Sequence, residues 1–158
     1  MKTNHPWRGF VISVLLALAL TIVPLPAWAD AFRPAWVALV VVYWSLVRPD
    51  AIGIGFAWVA GLLLDVMTGD LLGQNAFALA VIAYLVVRFH LRLRVFPIAQ
   101  QAVTVLLLIG LYEFLLFWID GVTREAAPGM RYWGPILLTL AAWPLTRAVL
   151  SQGASPAR

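Results

Sequence analysis

Two carboxylic acids, Asp65 and Glu113, lie inside long runs of apolar residues. An ionised side chain is costly at such a position, so acids there usually face the interior of a helix bundle and bind a partner. A proton relay is one such role, but a proton-coupled carrier needs several polar groups at one depth, and the other apolar runs supply few. We therefore favour structural roles for both candidate buried polar residues.

Asp65 allows two interpretations. In the first, it lies near the end of its apolar run, where its carboxylate is hydrated at the interface or caps the turn around Gly69 and Gly73. In the second, it is packed against protein and pairs with Arg33, a third candidate buried polar residue at the same predicted depth. For Glu113, one turn beyond Gly110, a protonated carboxyl group and a hydrogen bond to a partner helix both remain open.

Small residues recur every four positions on one predicted helix face and its continuation. They are Gly53, Ala57, Gly61, Gly69 and Gly73, with Asp65 in the same register. Small side chains at this spacing let another backbone approach closely, which is how helices associate in lipid. The pattern predicts a helix-packing surface with Asp65 pointing at protein.

Three arginines alternate with apolar residues between residues 88 and 94: Arg88, Arg92 and Arg94. We expect this segment to lie along the membrane surface, where each positive charge near anionic headgroups contributes about 1 kcal/mol. Lipid attraction explains the run, and an acidic protein partner stays open as an alternative. His90 lies within the segment without metal-ligand spacing.

The sequence contains no motif that indicates catalysis. It has no Cys, which excludes a disulfide framework, a thiolate metal site and a cysteine nucleophile. It also lacks a G-x-S-x-G elbow and a P-loop. We predict a protein that is not an enzyme, with no catalytic, cofactor-binding or metal site. The net charge of +4 does not indicate nucleic-acid binding, because the positive residues lie beside apolar runs.

The elements that carry these residues are predicted to be membrane spans. Of the 158 residues, 63% are hydrophobic and only 11% are charged, with a mean hydropathy of +0.93. We predict a single all-α transmembrane domain over residues 1–158, a polytopic six-helix bundle. The spans lie approximately at 9–27, 35–47, 52–67, 71–87, 98–119 and 133–150.

The distribution of positive residues predicts that both termini are cytoplasmic. With this orientation, eight positive residues lie inside: Lys2, Arg8, Arg48, Arg88, Arg92, Arg94, Arg147 and Arg158. Three lie outside, namely Arg33, Arg124 and Arg131. This bias satisfies the positive-inside rule.

Two segments leave alternatives open. The N-terminus resembles a signal peptide with a cleavage site at residues 27–29, although its apolar stretch is long enough to span a membrane. The second span covers only about 20 Å, so a re-entrant hairpin is an alternative to a crossing. A hairpin would place Arg48 and Asp50 near the bilayer midplane, so we favour a short crossing with locally thinned lipid.

The ordered residues from 32 to 84 resemble the MreD family of rod shape-determining proteins. The matching pieces are Phe32-Arg33-Pro34-x-Trp36, Tyr43-Trp44, Pro49, Gly61, Asp65, Gly69, Leu72-Gly73 and Ile82-Ala83-Tyr84. Weaker similarity covers the first span, Gln100-Gln101-Ala102 and the fifth span. The loop from Asp120 to Arg131 and the tail after Arg147 depart from the family pattern.

The resemblance implies a multi-pass protein of the bacterial inner membrane that keeps its first helix and works without enzymatic activity in cell-wall elongation. It implies MreC as a partner through its transmembrane helix, with the actin-like MreB, the RodA glycosyltransferase and its penicillin-binding transpeptidase in the wider complex. The fold also looks similar to six-helix substrate-binding subunits of vitamin transporters. A small-molecule carrier is therefore the alternative function.

Overall fold

The computed structural model describes residues 6–30, 32–123 and 130–153 and is helical throughout these ranges apart from short connections. Seven helices occur in the described residues: α1 (Pro6–Ile22), α2 (Ala27–Asp30), α3 (Trp36–Val47), α4 (Ile54–Thr68), α5 (Gln74–Val95), α6 (Ile98–Thr123) and α7 (Met130–Gly153). The predicted all-α class is therefore confirmed. The positive residues Lys2, Arg124 and Arg158 lie outside the described residues.

Proline and glycine set the helix boundaries. The central helix α3 lies between Pro34 and Pro49, since proline lacks a backbone N–H to donate and disfavours helical backbone at the residue before it. Pro97 separates α5 from α6 in the same way. α4 ends at Gly69, whose φ of 72° is the left-handed conformation of a helix C-cap.

Each of the six predicted spans corresponds to one helix, and the single-turn helix α2 was not predicted. By length and hydropathy, three helices of the described chain are able to cross a membrane: α5, α6 and the Trp133–Ser151 part of α7. The apolar helices α1, α3 and α4 are shorter. The apolar composition and these long apolar helices together indicate a membrane protein.

The short helix α3 forms the centre of the bundle. Every side chain from Val37 to Leu46 is buried, and α3 packs against α1, α4, α5, α6 and α7. Its 12 residues span only about 18 Å at 1.5 Å per residue. A helix that is apolar on all sides is stable when other helices surround it. α3 is such a helix, and its five neighbours cover it on all sides.

Successive long helices run antiparallel, so the bundle has two ends. At the first, which we call the Asp65 end, Arg33 before α3 donates a hydrogen bond to the Val23 carbonyl after α1 at 2.8 Å. At the second, the Arg94 end, the Arg94 guanidinium donates to the Val47 carbonyl at 2.6 Å. The continuous helix α3 therefore runs from one end of the bundle to the other.

Candidate functional site

Helices α4 and α5 form a hairpin whose backbones touch at Gly61. A Cβ atom at Gly61 would lie 2.3 Å from Ala76 Cα and 2.5 Å from Ala76 N, distances that real Cβ atoms do not show. Only glycine permits this approach. It brings the first turn of α5 within reach of the side chain four residues further along α4, which is Asp65.

The Asp65 carboxylate caps the N-terminus of α5. Oδ2 accepts hydrogen bonds from the backbone N–H of Gly73 at 2.8 Å and of Ala76 at 3.4 Å. Oδ1 accepts from the backbone N–H and the side-chain amide of Asn75, both at 2.9 Å. The first N–H groups of a helix have no partner within it, and Gly73, the N-cap residue, has no side chain to supply one. Asp65 supplies it from α4, with its charge at the positive end of the helix dipole.

Two further hydrogen bonds tie α6 to this cap. The Tyr112 hydroxyl donates to Asn75 Oδ1 at 2.5 Å, and Gln74 Nε2 donates to Asp120 Oδ1 at 2.9 Å. Tyr112 and Asn75 are buried. The resulting Asp65 network (Asp65, Asn75 and Tyr112) joins α4, α5 and α6 through polar groups that lipid could not satisfy.

The predicted pairing of Asp65 with Arg33 was wrong, because the two residues bind different partners. The donors to the Asp65 carboxylate are N–H groups of Gly73, Asn75 and Ala76. Arg33 instead donates to the Val23 carbonyl. The α5 N-terminus outcompetes a side chain because its N–H groups are held in place by the Gly61 contact. The alternative of a cap near Gly73 therefore describes Asp65, with the carboxylate buried and not hydrated.

The small-residue face is shorter than the sequence pattern. Ala57, Gly61 and Asp65 are buried side by side in α4. Gly53 is instead the N-cap of α4 and Gly69 its C-cap. Gly73, with φ of 97°, begins α5. The four-residue spacing continues past both ends of α4, so these three glycines lie in the turns that flank the helix and not on its packing face.

A cleft opens beside the network at the Asp65 end, with a volume of about 160 Å³. We call it the Glu113 cleft. Its polar lining consists of Thr21, Arg33, Thr68, Asp70, Asn75, Tyr112 and Glu113. Glu113 is 7% exposed, and among the described residues no hydrogen bond or ion pair reaches its carboxyl group. Arg33 and Glu113 therefore line the same cleft, and Asp65 lies behind it through its hydrogen bonds to Asn75.

The arginine-rich segment is not a separate surface segment, because it forms the last turns of α5, which continues to Val95. Arg88 and Arg92 are exposed, while Arg94 caps the C-terminus of α3 through Val47. Cations suit this position because the dipole makes a helix C-terminus negative. The neighbouring Arg147 side chain donates to Gln101 Oε1 and links α7 to α6.

A second opening, the α1–α7 groove, lies over α3 and has a volume of about 240 Å³. Its lining is Ser13, Leu16, Ala17, Leu20, Trp36, Val40, Leu145, Thr146, Val149 and Leu150. The small residues Ser13 and Ala17 are buried, whereas Leu16 and Val149 are more than half exposed. The groove is thus apolar, with small residues at its floor and large ones at its walls.

Asn75 and Tyr112, the other members of the network, were not predicted from the sequence. A weak signal was present, since an Asn directly inside a helix start is a common local acceptor or donor, but nothing in the sequence links it to Tyr112. No group of three or more His, Cys, Asp or Glu residues able to hold a metal ion occurs in the part of the chain that the structure describes. The arrangement can cap helices, close polar networks and offer one carboxyl group to a cleft.

Comparisons with known proteins agree on one family. A family model described as rod shape-determining protein MreD matches residues 1–151. The rod shape-determining protein MreD of Haemophilus influenzae is 28% identical over 141 residues, which cover 87% of this chain and 85% of that protein. No solved structure matches the chain. The resemblance seen in the sequence is therefore confirmed.

Proposed function

This chain belongs to the MreD family of rod shape-determining proteins, and we propose that it acts as a scaffold without enzymatic activity in the cell-wall elongation complex. Family membership supports the role in rod shape. The finer role is to bind the transmembrane helix of MreC and so help to position peptidoglycan synthesis by RodA and its penicillin-binding transpeptidase, with MreB on the cytoplasmic side.

The orientation we propose is a six-span protein of the bacterial inner membrane with the Arg94 end in the cytoplasm. The described arginines at or beside that end are Arg8, Arg48, Arg88, Arg92, Arg94 and Arg147. Arg33 belongs to the Asp65 end. This distribution supports the orientation through the positive-inside rule. Helices α1, α3 and α4 cross in spite of their length because neighbouring helices and thinned lipid absorb the mismatch.

The observation that carries the proposal for MreC is the α1–α7 groove. Helices in lipid associate through close van der Waals packing around small residues, and Ser13 and Ala17 provide such a floor between the exposed side chains of Leu16 and Val149. The small-residue face of α4 is not available for this purpose, because Gly61 already packs against α5.

Depletion of the protein from rod-shaped cells, followed by complementation, tests the proposal. We expect depleted cells to become round and wild-type protein to restore rods and retain MreC on purification in detergent. Val149→Trp, which places a large ring in the groove wall, should lose MreC. Leu107→Trp is the matched control, since Leu107 is 68% exposed on α6 and does not line the groove. Equal retention of MreC by both variants at equal membrane abundance would reject the groove.

The alternative function is a small-molecule carrier or the substrate-binding subunit of a vitamin-type transporter. The Glu113 cleft is the observation that favours it, because a carrier needs a polar cavity within the bundle. The same depletion experiment separates the two functions. Normal cell shape after depletion, together with a solute retained by the purified protein, would reject the scaffold and support the carrier.

A further inference from the structure

The C-terminus of α3 lies beside an arginine of α5 and is followed by an arginine of its own. The Arg94 guanidinium donates a hydrogen bond to the carbonyl of Val47, the last residue of α3, at 2.6 Å. Arg48 follows as the C-cap of α3, so the peptide group that Arg94 contacts is the one that joins Val47 to Arg48. Two arginines from different helices therefore meet at one peptide group.

A third arginine, on α7, lies at the same end of α3. The Arg147 guanidinium donates to Gln101 Oε1, and Gln101 Nε2 donates to the Leu93 carbonyl at 3.2 Å. One amide group thus links Arg147 to the residue that precedes Arg94. Arg147 also lies close enough to Tyr43, near the end of α3, to interact electrostatically with its hydroxyl group. Both observations place Arg147 beside the C-terminus of α3.

Arg48, Arg94 and Arg147, which we call the arginine triad, have no described counter-ion. None of the three forms an ion pair within the part of the chain that the structure describes. The C-terminal dipole of α3 offsets only about half of one positive charge. Each guanidinium has five N–H donors, and the contacts above use one in Arg94 and one in Arg147. The triad therefore combines positive charge with unused donors.

A phosphate group is the anion that matches these donors. Its oxygens accept paired hydrogen bonds from the planar fork of a guanidinium, and arginines on different helices offer such forks from more than one side. The site is also open, since Arg94 is exposed and Arg48 and Arg147 are only half-buried. A phosphate at the surface of the bilayer can therefore reach it.

We propose that the arginine triad binds a phosphate group. Two sources present this chemistry at a membrane surface: the headgroup of an anionic phospholipid and free inorganic phosphate. The site differs from a general attraction of residues 88–94 to lipid, because it joins α3, α5 and α7 and does not include Arg88 or Arg92. It is independent of the scaffold role, because no arginine lines the α1–α7 groove.

Titration of the purified full-length protein in detergent tests the proposal. The probes are inorganic phosphate, short-chain phosphatidylglycerol and short-chain phosphatidylcholine, whose phosphate already has a cation beside it. The readout is the rise in thermal unfolding midpoint, at an ionic strength of about 0.15 M, where charges more than about 8 Å apart are largely screened. We expect phosphatidylglycerol to raise the midpoint until the site is saturated, and phosphatidylcholine to have little effect.

The two sources give different responses. A rise with inorganic phosphate as well, above that with sodium chloride at equal ionic strength, shows that the phosphate group alone is bound. A rise with phosphatidylglycerol alone identifies a lipid headgroup site. An equal rise with phosphatidylglycerol and phosphatidylcholine, or no rise with any probe, would overturn the proposal.

Arg48→Gln is the decisive variant, because it removes a charge of the triad and breaks no described side-chain hydrogen bond. It should weaken phosphatidylglycerol binding about tenfold, as expected for the loss of one hydrogen-bonded charge. Arg88→Gln is the matched control, since it removes the same charge from an exposed position on α5 and should bind as the wild type does. Equal binding by the two variants would show a general surface attraction and reject the triad.

Discussion

At the Asp65 end a carboxylate on α4 caps the N-terminus of α5, whereas at the Arg94 end a guanidinium on α5 caps the C-terminus of α3. Both contacts place a charge against a helix end of opposite polarity. The Asp65 carboxylate is 1% exposed and holds four N–H donors, while Arg94 is exposed and has one described acceptor.

This difference separates two uses of charge in a membrane protein. A buried charge that no solvent can satisfy makes the packing of its neighbours depend on it. Exposed cations such as Arg88 and Arg92 remain available to anionic headgroups. We therefore expect substitutions at the Asp65 end to change the stability of the bundle and substitutions at the Arg94 end to change mainly its membrane contacts.

The largest effect is expected for Asp65→Ala. The substitution leaves several buried N–H groups of α5 without an acceptor, and we expect the free energy of unfolding in detergent to fall by about 3 kcal/mol or more. Asp50→Ala, which removes an exposed acid at the Arg94 end, is the control and should change it by less than about 0.5 kcal/mol. An equal loss of unfolding free energy in the two variants would contradict the expectation that the Asp65 end contributes more to stability than the Arg94 end.

Gly61→Ala should have the next largest effect. Its methyl group would meet the backbone of Ala76, which cannot move aside as a flexible side chain can. Overpacking of this kind costs about 1–3 kcal/mol, and it should also lengthen the hydrogen bonds of Asp65. Gly55→Ala in the same helix has open space around its new methyl group. Unfolding measurements that show the same loss for both variants would contradict the close approach of α4 and α5.

Tyr112→Phe isolates the last hydrogen bond of the network. It removes the donor to Asn75 Oδ1 and keeps the ring, so we expect a loss of about 1 kcal/mol in the free energy of unfolding. Tyr84→Phe changes an exposed tyrosine and serves as the control. A double-mutant cycle with Asn75→Ala measures the coupling directly, and additive losses would show that the two residues do not interact.

The difference between the ends also explains which features the sequence could predict. The spans and the basic residues follow from local composition, so helices α1 and α3 to α7 and the arginines of the Arg94 end could be predicted. Gly61 was identified because small residues at helical spacing have one simple use in lipid.

The Asp65 network could not be derived in the same way. It depends on the left-handed glycines that turn α4 into α5 and on the register of α6 against them, and both are tertiary properties. An acid and a base at similar predicted depth suggested an ion pair between Arg33 and Asp65. In the structure the Asp65 carboxylate accepts hydrogen bonds mainly from backbone N–H groups. No periodicity in the sequence indicates such a contact. The extension of α5 through Arg94 was missed for a similar reason, since a change from apolar to basic residues does not by itself end a helix.

Arg94→Gln should have the smallest effect on stability. The contact with the Val47 carbonyl lies at an exposed helix C-terminus, where such interactions contribute about 0.3–1 kcal/mol. Glutamine retains a donor but not the charge, so we expect a loss at the low end of this range. Arg92→Gln removes the same charge without a described hydrogen bond. The two variants should differ little in unfolding free energy, yet both should weaken binding to vesicles that contain anionic lipid, and this loss should shrink as salt is raised. A loss as large as that of Asp65→Ala would show that the Arg94 end holds the bundle together as strongly as the Asp65 end does.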